Sequence, residues 1–353
     1  MAWWQFSDSD LDGFLGLHQI PEIPGESDPI DGFFNYTDEA WSDLTPGGLG
    51  FVVIIHELGH GLGLAHPHDG GAQPDWTTFP GVSDGRPGDL GTFSLNQGIW
   101  TTMSYNDGWN RVPTVGYTPN HGCQGTPMAF DIAALQALYG ANTTYANGDD
   151  TYTLPGLNQS GTFWSCIWDA GGIDEISGDT LSGACKINQN DATLQVDDPN
   201  AGGFVSSMAG IRGGFTIANK AEIENATGGK GNDTLTGNEL DNLLKGNAGA
   251  DSLIGGIGGD TLEGGLGSDK MLGGADDDLY WADAAGDKIT ELVGEGKDTV
   301  KSSATYVLAA EIEVLELQGA LAINGTGNAL DNLLIGNSAA NTLDGKTGVD
   351  TMQ

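Results

Sequence analysis

Basic residues are scarce in this chain: 12 Lys and Arg stand against 49 Asp and Glu in 353 residues, a net charge of −37. Grips on nucleic acid and on anionic membranes are built from clustered Lys and Arg, so both partner classes are excluded. The same imbalance makes a compact state repel itself, and bound divalent cations are the natural remedy. Cysteine is also rare, with only Cys123, Cys166 and Cys185. An odd count excludes a full disulfide framework, leaving one Cys166–Cys185 bridge open. No apolar run approaches the roughly 20 residues of a membrane span, so no membrane insertion is expected. The start, Met1-Ala2-Trp3-Trp4-Gln5, lacks a basic segment followed by an apolar one, so no N-terminal secretory signal is read there.

Glycine, by contrast, is abundant at 58 residues, about twice the ordinary share. Much of it is periodic. Nine-residue units run 228–236, 237–245, 246–254, 255–263, 264–272 and 273–281, and three looser ones occupy 327–335, 336–344 and 345–353. They follow G-G-x-G-x-D-x-U-x, with U a large apolar residue, the pattern of a calcium-binding parallel β-helix. The glycine half makes a tight turn whose carbonyls face a cation, the sixth-position Asp adds a carboxylate, and oxygen-only ligation suits Ca2+. The eighth residue points inward from a short strand. Ions lie between same-side turns two units apart, which pairs Asp233 with Asp251, Asp251 with Asp269, and Asp260 with Asp278. Asn242 weakens the second unit, and the last block has Asn332 and Asn341 with only Asp350 as an acid.

The other concentrated signal is His56-Glu57-Leu58-Gly59-His60-Gly61-Leu62-Gly63-Leu64-Ala65-His66, which fits H-E-x-x-H-x-x-G-x-x-H without mismatch. Histidines four apart on a helix share a face and can hold one metal, and Glu57 can point at a metal-bound water. Gly63 lets the chain turn out of the helix and bring His66 round as third ligand. Three imidazoles with one open position describe catalytic Zn2+. Phe51-Val52-Val53-Ile54-Ile55 looks β-like by propensity, but the His56/His60 spacing predicts a buried helix over 46–62, with Thr45 as N-cap and Pro46 in the first turn. His68 reads as a loop histidine because a catalytic site keeps its fourth position free. Met103, in Trp100-Thr101-Thr102-Met103-Ser104-Tyr105 about forty residues downstream, reads as a Met-turn under the ligands.

Elsewhere, residues 1–45 are irregular, with Pro21, Pro24 and Pro29 breaking any long helix and His18 reading as a solvent-facing or packing residue. Thr126-Pro127 opens a helix over 128–139, its stripe Met128, Ile132, Leu135 and Tyr139 facing a core, with Gly140 as the stop. Residues 141–227 read as short strands and tight turns, Phe163, Trp164 and Trp168 serving as core anchors.

On the run 56–67, Met103-Ser104-Tyr105, the helix 128–142 and the nonapeptides, the chain resembles the serralysins, the repeat-bearing secreted branch of the metzincin zinc proteases. The resemblance covers roughly residues 45–281. It implies an α+β zincin-like catalytic domain followed by an all-β domain with a calcium-binding parallel β-roll. It further implies Zn2+ on His56, His60 and His66, Glu57 as general base, Met103 beneath the site, and Tyr105 as a switchable ligand that stabilises the oxyanion. Ca2+ falls to Asp233, Asp251, Asp260, Asp269 and Asp278. The implied protein is a monomer acting on protein or peptide substrates, exported by a bacterial one-step secretion apparatus and extracellular, where calcium folds the repeats. The expected parts are a metzincin-like domain at 1–145, a β-rich connection at 146–227, the roll at 228–281, a β-rich spacer at 282–326 and a degenerate block at 327–353. Only 55 residues precede His56, and the last residues close a repeat unit, so relative to the family the chain reads as truncated at both ends. The alternative function is a non-catalytic, calcium-dependent surface or adhesion module carrying an incomplete zincin domain. A repeat-bearing lipase would need a G-x-S-x-G elbow on a strand-to-helix turn; Gly81-Val82-Ser83-Asp84-Gly85 carries the letters but sits in the loop-rich stretch that runs to about residue 99.

Overall fold

The computed structural model describes residues 16–18, 32–34, 41, 43–69, 78–106 and 120–353. Pro21, Pro24, Pro29 and the His18 side chain lie outside the described residues. Two parts are distinct: a helical part around residues 43–139 and a β-solenoid from residue 151 to the end. The first part holds helix α1 (Leu49–Gly61) and helix α2 (Ala129–Tyr139), with the short antiparallel strands Gly16–His18 and Gly32–Phe34 nearby.

Helix α1 begins later than the Thr45-Pro46 signal predicts. Its N-cap is Gly48, and residues 45–48 form a turn closed by the Gly48 N–H donating to Thr45 O at 2.9 Å. Gly47, at φ +87°, cannot join the helix, and a Cβ there would lie 2.4 Å from Thr162 O. The other end follows the glycine signal. Gly63 at φ +98° donates to His60 O and Leu64 donates to Gly59 O, both at 2.9 Å, which is the paired bonding of a Schellman stop. Helix α2 starts after Met128, and Gly140 at φ +85° ends it. Thr126 is not its cap; the Thr126 hydroxyl instead accepts from the Cys166 N–H at 3.0 Å. The α2 stripe is a core face only at its N-terminal end, where Met128 is fully buried, while Tyr139 is 57 % exposed.

The solenoid is built as the nonapeptide spacing requires. Strand Thr234–Thr236 pairs in parallel with Ser252–Ile257, which pairs with Lys270–Ala275; the alternate units stack Leu243–Lys245, Thr261–Glu263 and Leu279–Ala282 in the same way. Each coil is thus two units, and one sheet collects odd units while the other collects even ones. The eighth-position residues Leu235, Leu244, Leu253, Leu262, Met271 and Tyr280 are all buried in one core. Each such side chain contributes roughly 1.5–3 kcal/mol by leaving water.

The sheets run across the sequence positions where the repeats begin and end. The larger one has ten strands, from Thr151–Thr153 at one end to Thr351–Met352 at the other. Beyond residue 282, where the template fails, Thr299–Ser302 and Val314–Leu317 continue the parallel stack and bury Val300 and Leu315. Trp164 is buried near the join between the two parts, and Trp168 packs against both cores. No disulfide forms among the described residues: Cys123, Cys166 and Cys185 are buried and unbridged, and burial pushes the Cys166 and Cys185 thiols up to about 12.

Candidate metal centres and their acidic ladder

Three imidazoles converge at the C-terminal half of α1. The His66 Nε2 lies 3.1 Å from His56 Nε2 and 3.0 Å from His60 Nε2. Each opposite ring nitrogen faces an acceptor: His56 Nδ1 the carbonyl of Thr102 at 2.8 Å, His60 Nδ1 that of Leu64 at 2.8 Å, and His66 Nδ1 the Asp69 carboxylate at 2.6 Å. Those acceptors fix the proton on Nδ1, so three Nε2 lone pairs point at one another. Without a cation they repel. Tetrahedral ligation at about 2.05 Å would space nitrogens about 3.3 Å apart, close to what is found. The donor set therefore fits Zn2+. Burial also pulls the His56 imidazole down to about 4, which keeps it neutral and able to ligate.

Glu57 is buried on the next position of α1, its Oε2 without a hydrogen-bond partner, and desolvation raises its carboxyl to about 7. That places it near the value a general base needs at neutral pH. Tyr105 is half exposed and lies over the cluster, its ring centroid 4.7 Å from that of His66 and 5.4 Å from that of His56. Burial and then the Glu57 and Asp69 carboxylates raise its phenol, so it stays protonated. Met103 is buried beneath α1; a Cβ on Gly59 would lie 2.6 Å from its sulfur, which explains why the helix carries glycine between its two histidines. His68 does sit in a loop, but buried and ring-stacked on His66 at 5.0 Å.

Two residues at this centre carry no sequence signal of their own. Asp69 orients His66, and only the turn at Gly63 brings it there. Asp131 is wholly buried and accepts from the Thr101 hydroxyl at 2.5 Å, the Thr102 N–H at 2.7 Å and the Met128 N–H at 2.8 Å. It thereby ties the start of α2 to the loop whose Thr102 carbonyl holds His56. An acid in the first turn of α2 was visible, but its long-range partner was not.

The repeat acids form a second arrangement. The Asp233 N–H donates to Asp251 Oδ1 at 2.7 Å, the Asp251 N–H to Asp269 Oδ1 at 2.8 Å, and the Asp260 N–H to Asp278 Oδ1 at 2.7 Å. The structure thus brings together the three pairs expected from spacing. The remaining oxygens, Oδ2 of Asp251, Asp260, Asp269 and Asp278, are buried without partners. Each points at the glycine turn. A Cβ on Gly255 would meet Asp260 Oδ2 at 2.0 Å and Gly273 O at 2.6 Å, so the cradle is open only because glycine lines it. Orphaned carboxylate oxygens beside turn carbonyls around such a cradle fit Ca2+. Asp233 differs, since its Oδ2 accepts from the Gly229 N–H at 2.6 Å.

Comparison with known protein families bears on the part of the chain from residue 129 onward. The family described as Peptidase M10 serralysin C terminal matches residues 129–315, and the RTX calcium-binding nonapeptide repeat matches residues 326–352. Serralysin C of Dickeya chrysanthemi is 38 % identical over 196 residues, 53 % of this chain and 36 % of that relative. Serralysin B of the same organism is 35 % identical over 218 residues, covering 59 % and 40 %. Metallopeptidase AprA of Pseudomonas marginalis is 32 % identical over 235 residues, covering 62 % and 45 %. The chain spans less than half the length of these curated relatives. Because the serralysin match covers more than half of its 353 residues, with a calcium-binding nonapeptide repeat matched beyond it, the chain belongs to the serralysin family of M10 peptidases.

Proposed function

We propose that the chain is a secreted, extracellular zinc endopeptidase of protein or peptide substrates, with a zincin-like α+β catalytic part and a calcium-stabilised solenoid. The observation that carries this reading is the convergence of three Nε2 atoms whose Nδ1 partners are all fixed. Zn2+ held by His56, His60 and His66 would supply Lewis acidity toward the scissile carbonyl and the attacking water. Glu57 takes the proton of that water and hands it to the leaving amine, a role suited by its raised carboxyl. Tyr105, exposed above the cluster and protonated, donates its hydroxyl to the developing oxyanion. Export by a one-step secretion apparatus and a monomeric state belong to the same reading.

A second reading has one observation behind it. The family match begins at residue 129, beyond His56–His66. On that reading the chain is a non-catalytic, calcium-dependent surface module. Casein hydrolysis with zinc and calcium separates the two. The peptidase reading expects Glu57→Ala to lose at least about a hundredfold in rate while keeping its zinc. Equal rates in the two proteins, or none in either with zinc bound, would leave the surface-module reading standing.

A further inference from the structure

The carboxylate ladder does not stop where the nonapeptide pattern stops. The Asp278 N–H donates to Asp298 Oδ1 at 2.9 Å, as the Asp260 N–H donates to Asp278 Oδ1 at 2.7 Å, although Asp298 lies outside the template. A third acid joins these two. Glu291 follows strand Lys288–Thr290 and stands 18 residues after Gly273, where the stack would place the first glycine of the next same-side unit. It is only 7 % exposed, and neither of its carboxylate oxygens has a hydrogen-bond partner. Asp278 Oδ2 is buried and equally unpartnered. The three side chains offer oxygens within 4.8 Å of one another.

The surroundings supply backbone N–H groups but, among the described residues, no ion-paired cation. The Gly273 N–H donates to the Tyr280 hydroxyl at 2.6 Å and also faces Glu291, whose carboxyl it lowers against the larger effect of burial. The lysine ion pairs among the described residues join other acids: Lys245 with Glu263, Lys301 with Glu316, and Lys346 with Asp344. Three buried carboxylates cannot stay ionised together without a counter-charge. Protonating Glu291 would offer its O–H to a neighbouring carboxylate such as Asp278, but would leave the remaining carboxylate charges without a cation.

We propose that Asp278, Glu291 and Asp298 form a calcium site outside the nonapeptide template, with Glu291 taking the place of a turn carbonyl. The donor set is all oxygen and all carboxylate, with no His or Cys, which favours a hard cation. Ca2+ fits better than Mg2+, because an enclosed and irregular set of protein oxygens suits its loose coordination, whereas Mg2+ keeps several waters. The site has a structural consequence. It pins the segment at 291–298 to the last full repeat, at the point where the regular register is interrupted and the parallel stack must restart at Thr299–Ser302. The proposal does not rest on the histidine cluster, and inactivity toward casein would leave it untouched.

Native mass spectrometry of the full chain in calcium, with thermal unfolding at several calcium concentrations, tests it. Glu291→Gln keeps the shape and removes the charge, so it should bind one calcium fewer than the wild type and gain fewer degrees of Tm from calcium. Glu316→Gln, in the same solenoid but outside the site, should match the wild type in both. An unchanged ion count and calcium-dependent Tm gain in Glu291→Gln would overturn the proposal and mark Glu291 as a neutral acid. Should Glu291→Gln fail to fold, Glu291→Asp keeps the charge and shortens the reach. Calcium affinity at least about tenfold weaker is then expected there, and unchanged affinity overturns the site.

Discussion

Turns carrying Asp and turns carrying Asn at the sixth repeat position share one backbone and differ in what fills the cradle. In the turns of Asp251, Asp260, Asp269 and Asp278, one carboxylate oxygen accepts the ladder N–H and the other is buried without a partner. In the turn of Asn332, the ladder persists, with the Asn332 N–H donating to Asp350 Oδ1 at 2.9 Å. The Asn332 side chain, however, satisfies itself: its Oδ1 accepts from the Asn328 N–H at 2.8 Å and its Nδ2 donates to Ile312 O at 3.0 Å. Asn341 does the same with the Asn337 N–H and Ile323 O, and Asn242 with the Asn238 N–H and Glu224 O. An amide brings its own donors to the place where a carboxylate needs a cation. Turns carrying Asp are therefore expected to depend on a cation, and turns carrying Asn to depend on one less.

Chelation should separate the two kinds of coil most sharply. In excess chelator at pH 7.5, amide exchange at Asp251, Asp260 and Asp269 should accelerate by roughly a hundredfold or more, because buried charges are left uncompensated. Exchange at Asn328 and Asn337 should change by less than about tenfold, since coils couple mainly to their neighbours. Uniform acceleration along the whole solenoid would break the distinction.

A pH series sharpens it. Burial raises the Asp251, Asp260 and Asp278 carboxyls from 3.8 to about 7 when no cation is bound. A folded pKa above the unfolded one gives stability that is present below about pH 4 and is lost as pH rises through about 7. Calcium-free protein should consequently melt at a higher temperature at pH 5 than at pH 8. With saturating calcium the order should reverse, because the ion binds the ionised carboxylates. Thermal scans in chelator and in calcium check both signs.

Exchanging the two side chains gives smaller effects. Asp260→Asn keeps the acceptor for the Asn242 N–H and places donors where Oδ2 is orphaned. It should stabilise the calcium-free chain by about 1–2 kcal/mol and bind one calcium fewer. Asn341→Asp, half-buried near the end of the stack, should cost less than about 1 kcal/mol without calcium. Denaturant unfolding in chelator measures each.

The solenoid was legible because its signals are local and repeated: one apolar residue and one acid per nine residues set the register, the core and the ladder. Legibility ended where the period did. Residues 282–326 continue the stack with different spacings, so Val300 and Leu315 belong to the core without any template to announce them. The histidine cluster was legible because four-residue spacing on a helix and Gly63 together determine where the rings go. Its supports were not. Asp69 and Asp131 act on residues that only the folded loops bring near, and the Thr45-Pro46 start signal yielded to Gly47, whose close approach to Thr162 O prevents helical continuation.

Anomalous difference maps from crystals grown with zinc and calcium, recorded on both sides of the zinc edge and at long wavelength, test the central claim directly. The account predicts a zinc peak among His56, His60 and His66 and calcium peaks beside Asp251, Asp260, Asp269 and Asp278, with none beside Asn242, Asn332 or Asn341. Calcium at the asparagine turns, or no zinc among the three histidines, would contradict it.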